Sequence, residues 1–325
     1  MNYKCKTPIL LIFFNRPGTF EKVFEKVKKV QPETLILAQD GPRNSDDNAN
    51  IKKCREIAEK IDWPCSVIKD YSEVNLGCGV RPQSAISSAL EKFEQVIILE
   101  DDCIPSDSFF PYCEELLERY KDDERIAYIS GLNHFESWDC GESDYFFTKA
   151  GSIGAWGTWR RAWSRYYDYY ANLIHDPYIV KLYAQQVGVP HVFEKRLSSL
   201  LRANAAETNG DKLSYWDAQW GFAQYIQNML VIVPKVNLIH NVGGGAESTH
   251  ATTLKETKYI KYKNMLYMPT YELNFPLHHP KFCACDFEYH YLVYKCFGER
   301  LWKRMIKFFL KKTKIYHFFS KMTNK

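Results

Sequence analysis

The first 130 residues alternate short apolar runs with stretches of helical periodicity, and this alternation restricts the fold more than any other feature. The continuous apolar runs predict buried strands at residues 8–14, 34–38, 65–68, 95–99 and 125–130. Apolar residues at helical spacing predict helices within residues 20–30, 51–61 and 86–93. Repeated βα units of this length indicate an α/β fold, Rossmann-like, with a mostly parallel twisted sheet and helices on both faces.

The second half of the chain is less regular and rich in aromatic side chains. Trp and Tyr crowd between residues 156 and 170, and Trp216 and Trp220 flank Asp217. The pattern predicts helices at residues 159–170, 192–205 and 216–227, a strand at 230–233, and a flexible loop at residues 243–245. We divide the chain into a regular half (1–135), an aromatic-rich half of the same domain (136–298), and a tail (299–325).

The tail is strongly basic, whereas the rest of the chain is mildly acidic. The net charge is +4, yet residues 299–325 hold nine Lys or Arg and one Glu, which leaves the other residues at −4. An acidic body argues against nucleic-acid binding. Apolar side chains recur at helical spacing in the tail, at Leu301, Trp302, Met305, Ile306, Phe308 and Phe309. A basic amphipathic helix of this kind predicts docking on an anionic membrane surface, with packing on the protein as the alternative.

The start of the chain and the cysteines bear on the cellular compartment. Residues 1–17 lack a signal-peptide pattern, and no apolar run is long enough to span a bilayer. Ten cysteines are scattered without the spacing of a disulfide framework, which indicates reduced thiols. We therefore expect a cytoplasmic protein that lies at the inner face of the membrane through its tail.

Polar residues follow three of the predicted strands. Asn15-Arg16 follows the first strand, Asp40-Gly41 the second, and Glu100-Asp101-Asp102 the fourth. Ligands of open α/β sheets bind beyond the carboxyl ends of the strands, so we expect these side chains to converge at that edge, which we call the rim. Each of the first two motifs also has a structural interpretation, a turn at Asp40-Gly41 and a helix start at Asn15-Arg16.

Three adjacent carboxylates at the end of a buried strand need a positive partner, because they otherwise repel one another. Oxygen-rich sites favour Mg²⁺ or Mn²⁺, so Glu100-Asp101-Asp102 predicts a divalent-cation site, with an exposed acidic turn as the alternative. In extended backbone Glu100 and Asp102 lie on one side and Asp101 on the other. We expect Asp102 to bind the metal. Arg16 and Arg81 are candidates for contacts with a base or phosphate.

These motifs resemble the nucleotide-sugar domain of GT-A glycosyltransferases, in particular the N-acetylglucosaminyltransferase I group and its bacterial relatives in surface-polysaccharide loci. The resemblance covers residues 7–135 most specifically and continues to about residue 285. The matching residues are Phe14-Asn15-Arg16-Pro17, Asp40-Gly41, Asn75-Leu76-Gly77, Glu100-Asp101-Asp102, Ala155-Trp156-Gly157-Thr158-Trp159 and Trp216-Asp217-Ala218-Gln219-Trp220. Gly151–Gly157 is a looser version of the acceptor-side motif than this group implies.

The resemblance implies an inverting, metal-dependent transfer from a UDP-sugar to a saccharide or lipid-linked acceptor. The regular half then binds the nucleotide-sugar through Phe14, Asn15, Arg16, Asp40, Arg81, Glu100 and Asp101, with Asp102 holding Mn²⁺ or Mg²⁺. The aromatic-rich half binds the acceptor. By this likeness Glu100 lies near the ribose, and Asp40 and Arg16 lie near the nucleotide.

An inverting transfer requires a base for the acceptor hydroxyl, and Asp217 is the first candidate. Flanking tryptophans are able to raise its pKa and to present flat faces to a sugar ring. The alternative is that Asp217 caps its helix. The substitutes are Glu207, Asp211 and Asp144.

Two further motifs are weaker indications of metal. His250 follows the glycine loop and is a candidate second metal ligand, with a solvent-facing loop histidine as the alternative. Cys283-Ala284-Cys285 lies near His278, His279 and His290, a weak indication of zinc.

Two other functions compete with sugar transfer. A sugar-nucleotide pyrophosphorylase needs a Gly-rich basic loop directly after the first strand, and Asn15-Arg16-Pro17-Gly18 is too short for one. A membrane-docked, non-catalytic nucleotide-sugar-binding or scaffold protein is the alternative outside enzyme function. Intact carboxylates and a candidate base argue against it.

Overall fold

The computed structural model describes residues 3–166, 173–211, 216–244 and 266–296. Within these ranges the chain forms ten strands. They are β1 (Ile9–Phe13), β2 (Thr34–Gln39), β3 (Ser66–Tyr71), β4 (Gln95–Glu100), β5 (Cys103–Pro105), β6 (Ile126–Ser130), β7 (Tyr145–Thr148), β8 (Ala155–Trp159), β9 (Leu230–Pro234) and β10 (Ile239–Asn241). The five predicted strands of the regular half are β1, β2, β3, β4 and β6, and the strand predicted at 230–233 is β9.

Helices connect most of these strands. In the described ranges they are α1 (Pro17–Val30), α2 (Asn48–Ala58), α3 (Gly77–Lys92), α4 (Phe109–Arg119), α5 (Arg160–Tyr166), α6 (Pro177–Val187), α7 (Pro190–Asn209), α8 (Asp217–Ile226) and α9 (Phe287–Cys296). The periodicity of α1 is confirmed in detail, because its buried residues are the five apolar residues that predicted it. Helices α4, α6 and α9 were not predicted from the sequence.

Eight strands form one mixed sheet in the order β3-β2-β1-β4-β8-β6-β9-β7. The first four are mutually parallel, β8 is antiparallel to both of its neighbours, and β7 is antiparallel to β9. Strands β6 and β9 run parallel to each other. The predicted fold class, α/β with a mostly parallel central sheet, is confirmed, and strands from both halves of the chain share the sheet.

Alternate residues of the central strands belong to two separate cores, one on each face of the sheet. Ile97 and Leu99 of β4 pack with α1, α2 and α4, whereas Val96 and Ile98 pack with α3, α5 and α8. Helices therefore cover both faces, as predicted. This alternation also sets the direction of Glu100, the last residue of β4, toward the α3 and α8 side.

The tryptophans of the aromatic-rich half lie in the second core. Trp156, Trp163, Trp216 and Trp220 are each at most 5% exposed, with ring centroids of neighbouring pairs 5.1–6.4 Å apart. The expectation that Trp216 and Trp220 present faces to a sugar is therefore wrong, because both rings are used in packing. Trp156 lies on β8, so the stretch Gly151–Gly157, which resembles the acceptor-side motif, continues into a central strand.

Among the described residues no helix combines the length and apolarity required to cross a membrane. The tail at 299–325 and His250 lie outside the described residues.

Candidate functional site

Arg16 lies between two of the three rim carboxylates. Its Nη1 donates to Asp102 Oδ2 at 2.9 Å, and its Nη2 donates to Asp101 Oδ1. The backbone N–H of Phe14 donates to the other oxygen of Asp101 at 3.2 Å. Arg16, Asp101 and Asp102 form what we call the arginine clamp. The positive partner that the carboxylates require is thus supplied, in this structure, by a side chain.

The side chains of Glu100-Asp101-Asp102 were expected to alternate between the two sides of an extended segment, but the extended backbone ends at Glu100. Strand β4 ends at Glu100, and Asp101 and Asp102 form a turn, so Asp102 shares a guanidinium partner with Asp101. The expectation that Asp101 points away from Asp102 is therefore wrong, whereas Asp102 still lies close enough to Glu100 for its charge to act on it. Burial raises the pKa of Glu100 well above its usual value, and the charges of Asp102 and Asp101 raise it further. Burial also raises the pKa of Asp101, and Arg16 opposes that shift.

Asp40 is buried and organises the loop that precedes α3. Its Oδ1 accepts the backbone N–H groups of Gly41 and Leu76 at 2.9 and 2.8 Å. Its Oδ2 accepts the N–H of Gly77 at 2.9 Å and the side-chain amide of Asn75 at 3.0 Å. A carboxylate at this place satisfies N–H groups that a helix start otherwise leaves without partners. Asp40 therefore ties β2 to the first turn of α3.

Two glycines make this loop possible. A Cβ on Gly41 would lie 2.5 Å from the carbonyl carbon and oxygen of Val74, so only glycine lets the two backbones cross there. Gly77 has φ of +80°, a conformation that other residues rarely adopt. The Asp40-Gly41 pair is thus more than a local turn, because it fixes the position of a segment 35 residues away.

Asp217 faces the rim from the aromatic-rich half. It is the first residue of α8, directly after the N-cap residue Trp216, and its side chain is exposed. The alternative of a capping role is therefore wrong. Partial removal from water raises the pKa of the Cys78 thiol, and the charges of Asp217, Asp40 and Glu100 raise it further. Three carboxylates, one directly after β2, one on β4 and one on α8, consequently lie within electrostatic range of Cys78 at the start of α3.

The other predicted donor-site residues are held by neighbours near the same edge. The side-chain amide of Asn15 donates to Asp47, which Arg43 also binds through two side-chain hydrogen bonds of 2.9 and 2.7 Å. Arg43 lies over the ring of Phe14, with its guanidinium carbon 5.1 Å from the ring centroid. Arg81 is 5% exposed and forms an ion pair of 3.0 Å with Asp70 at the end of β3.

The segment that follows β10 lies against the arginine clamp. Strand β10 pairs antiparallel with β5, which begins directly after Asp102. The N–H of Val242 donates to the backbone oxygen of Asp102 at 2.9 Å, and a Cβ on Gly243 would lie 2.2 Å from Asp102 Oδ2. The run of three glycines was the available sequence signal, yet it indicated only a flexible loop, because β10 was not predicted.

The clamp residues could hold a divalent cation only together with ligands from a bound molecule or water. Within the described ranges no group of three or more His, Cys, Asp or Glu side chains could hold a metal. Mg²⁺-type sites often use one or two carboxylates and complete their shell with substrate phosphates and water. Asp102 Oδ2, which faces Arg16 and the Gly243 backbone, suits a cation that arrives with a diphosphate.

The histidines considered for zinc bind other residues, and the substitute bases lie at β7 and at the end of α7. The expectation of zinc near Cys283 and Cys285 is not met, because the three histidines have separate partners. His278 contacts Asp144, His279 contacts Tyr145 and Glu115, and His290 contacts the Val187 carbonyl. Asp144 precedes the edge strand β7, and Glu207 and Asp211 are exposed at the end of α7.

Three solved structures show distant similarity to this chain. No protein-family model matches the chain, and no curated protein sequence is significantly similar to it. A UDP-glucose pyrophosphorylase complexed with UDP-glucose is 9% identical over 72% of this chain and 93% of that chain, with a TM-score of 0.34. The apo form of a UDP-glucose pyrophosphorylase is 12% identical with the same coverage and TM-score. HddC from Yersinia pseudotuberculosis is 11% identical over 49% of this chain and 80% of that chain, with a TM-score of 0.30. Similarities of this size assign neither a family nor an activity.

Proposed function

We propose that this chain is an inverting, metal-dependent glycosyltransferase of the GT-A type. It transfers a sugar from a UDP-sugar to a saccharide or lipid-linked acceptor, in the synthesis of a surface polysaccharide. The first half of the chain binds the donor at the rim, and residues of the second half bind the acceptor.

The observation that carries this proposal is that Glu100 and Asp217, from the two halves of the chain, lie within electrostatic range of each other at one edge of the sheet. Glu100 ends a central parallel strand, where ligands of such sheets bind. Asp217 comes from the other half of the chain, and its charge contributes to the raised pKa of Glu100 after burial, Asp102 and Asp101. An exposed carboxylate with no hydrogen bond to another described residue is available to take a proton from a bound molecule.

The proposed reaction is a single displacement at the anomeric carbon. The acceptor hydroxyl oxygen forms a bond to that carbon while the bond to the UDP phosphate oxygen breaks, and the hydroxyl proton passes to Asp217. UDP leaves with the bonding electrons. A bound Mg²⁺ or Mn²⁺ would offset the charge of the departing diphosphate. Asp40 keeps the Asn75–Gly77 loop in place beside the donor. Arg16, which contacts Asp102, supplies a positive charge for the diphosphate.

Membrane docking is the second part of the proposal. The tail supplies the basic charge, and the described residues before it add exposed aromatic surface at Phe282, Phe287 and Tyr291, which are 79%, 66% and 49% exposed. Phe287 and Tyr291 lie one turn apart on the outer face of α9, and Lys295 follows one turn later. Aromatic and basic side chains together suit a membrane interface, and docking there would bring the protein to the surface that carries a lipid-linked acceptor.

The first experiment is a donor panel of UDP-, GDP-, dTDP- and CMP-sugars with Mn²⁺, scored for binding, hydrolysis and transfer. Asp217→Asn should abolish transfer and retain affinity for the UDP-sugar, because the base acts on the acceptor. Asp139→Asn, at another exposed aspartate of the same half, is the matched control and should remain active. If Asp217→Asn also loses donor affinity, Asp217 is not the base.

The same panel separates the two competing functions. A pyrophosphorylase would convert UDP-sugar and pyrophosphate to UTP, and the structure gives only three residues between β1 and α1 for the loop that this reaction requires. A non-catalytic nucleotide-sugar-binding protein would show thermal stabilisation by UDP and Mn²⁺ with no turnover on any acceptor.

A further inference from the structure

The arginine clamp and the proposed metal site use the same oxygen. Asp102 Oδ2 accepts from Arg16 Nη1 at 2.9 Å, and this oxygen also faces the Gly243 backbone. A cation bound to that oxygen would lie against a guanidinium of the same sign. The two positive charges repel each other there, so binding of a cation to Asp102 Oδ2 weakens the contact with Arg16.

The two aspartates of the clamp are held differently. Asp101 has a side chain 3% exposed, and one of its oxygens is fixed by the N–H of Phe14. Asp102 has a side chain 13% exposed, and among the described residues its other oxygen accepts only the weak S–H donor of Cys103, at 3.3 Å. The contact of Arg16 with Asp101 is thus the more firmly held, and its contact with Asp102 is the one that a cation can replace.

We propose that Arg16 occupies the cation site on Asp102 when no donor is bound, and that a divalent cation displaces it while Asp101 retains it. Asp101 is then a positioning residue that keeps the guanidinium at the rim. Released from Asp102, one end of Arg16 can donate to the donor diphosphate, which also supplies ligands to the cation. The inference rests on the proposed donor site and adds to it an explanation of why cation and donor bind together.

This exchange has a measurable consequence for the protein without nucleotide. Wild-type protein should bind Mn²⁺ weakly by titration calorimetry, because the cation must displace Arg16. Arg16→Gln removes the competing charge and should bind Mn²⁺ about tenfold more tightly in the absence of UDP, which corresponds to about 1.4 kcal/mol. UDP should raise the Mn²⁺ affinity of this variant less than it raises that of the wild type.

Arg43→Gln is the matched control. Arg43 lies near the same edge and is paired with Asp47, with no hydrogen bond to Asp101 or Asp102. Its replacement makes the same charge change and should alter Mn²⁺ affinity by less than about twofold, since exposed charges are screened. Asp102→Asn in the Arg16→Gln background should abolish the added binding, which locates the cation.

Arg16→Gln leaves clamp carboxylates without their partner, so its folding is followed in the same series by thermal unfolding. Mn²⁺ should raise the melting temperature of Arg16→Gln more than that of the wild type. If the variant does not fold, Arg16→Lys keeps the charge and loses the two-pronged contact, and should bind Mn²⁺ with intermediate affinity. Equal Mn²⁺ affinity for wild type, the Arg16 variant and Arg43→Gln would overturn the exchange.

The outcomes separate this inference from the proposed function. No Mn²⁺ binding to the wild type with UDP present would refute the metal-dependent donor site itself. Normal binding with UDP, combined with no gain in the Arg16 variants without UDP, would refute the exchange alone.

Discussion

Replacing Asp40 by asparagine tests whether this residue organises the rim or only contacts a ligand. The carboxylate accepts four hydrogen bonds, three of them from backbone N–H groups, and is 6% exposed. Asparagine has the same shape, but one of its two terminal atoms is an NH₂ group. Whichever way the amide is turned, two donors that now face an oxygen would face another donor.

The size of the effect follows from these contacts. Hydrogen bonds to charged groups contribute about 1.5–3 kcal/mol each, and a buried donor left without a partner costs about 1–3 kcal/mol. The Asn75 side chain can turn away, whereas the backbone N–H groups of Gly41, Leu76 and Gly77 cannot. We therefore expect Asp40→Asn to lower the free energy of unfolding by about 2–4 kcal/mol, with at least one backbone donor unsatisfied.

Urea denaturation at pH 7, followed by far-UV circular dichroism without ligand, measures this change. Asp46→Asn is the control, since Asp46 is exposed in the neighbouring 3₁₀ turn, and it should stay within about 0.5 kcal/mol of the wild type. Carboxylates that serve only as ligands usually destabilise the unliganded fold, so their removal leaves stability unchanged or raises it. Such a result for Asp40→Asn would refute the organising role.

Three other predictions concern metal, membrane and pH. Asp102→Asn should reduce transfer by orders of magnitude with the fold intact, and full wild-type activity in excess EDTA would contradict the metal requirement. Truncation after Gly298 should abolish flotation with phosphatidylglycerol liposomes, to which each basic residue contributes about 1 kcal/mol; equal partitioning of both proteins would contradict docking. Burial lowers the pKa of His134 to about 4 from 6.5, so the unfolded chain binds more protons between these values and stability falls as pH drops through them. Between pH 7 and pH 4.5 the free energy of unfolding of His134→Gln should therefore fall by about 2–3 kcal/mol less than that of the wild type, measured by urea denaturation. The same pH dependence of the unfolding free energy in both proteins would contradict this.

The local features of the regular half could be predicted from its sequence because each depends on short-range periodicity. Helix α1 buries the residues whose spacing defined it, and β4 ends where its apolar run meets Glu100. The convergence of strand ends at the rim follows from the same parallel arrangement. Fold class and the location of the candidate site were thus accessible without a structure.

The contacts that define the site could not be predicted because they join distant parts of the chain. Arg16 meets carboxylates 85 and 86 residues later, and Asp40 binds a loop more than 30 residues away. Strand β10 pairs with β5 across more than 130 residues, which brings Gly243 to Asp102. No periodicity within either segment encodes such a pairing. The sugar-facing interpretation of Trp216 and Trp220 was wrong for this reason, because both rings pack on Trp156 and Trp163 from a distant part of the chain.

The cluster of four tryptophans has an optical consequence. Indole transitions on rings 5.1–6.4 Å apart couple strongly, and Trp156 and Trp216 are nearly parallel, with an interplanar angle of 21°. Such coupling produces a paired positive and negative band in the ultraviolet circular dichroism spectrum whose intensity depends steeply on ring separation and angle. Trp216 directly precedes Asp217, so a shift of α8 would change this signal. The protein therefore contains an unlabelled spectroscopic reporter, one residue from the candidate base, of a shift of α8 on ligand binding.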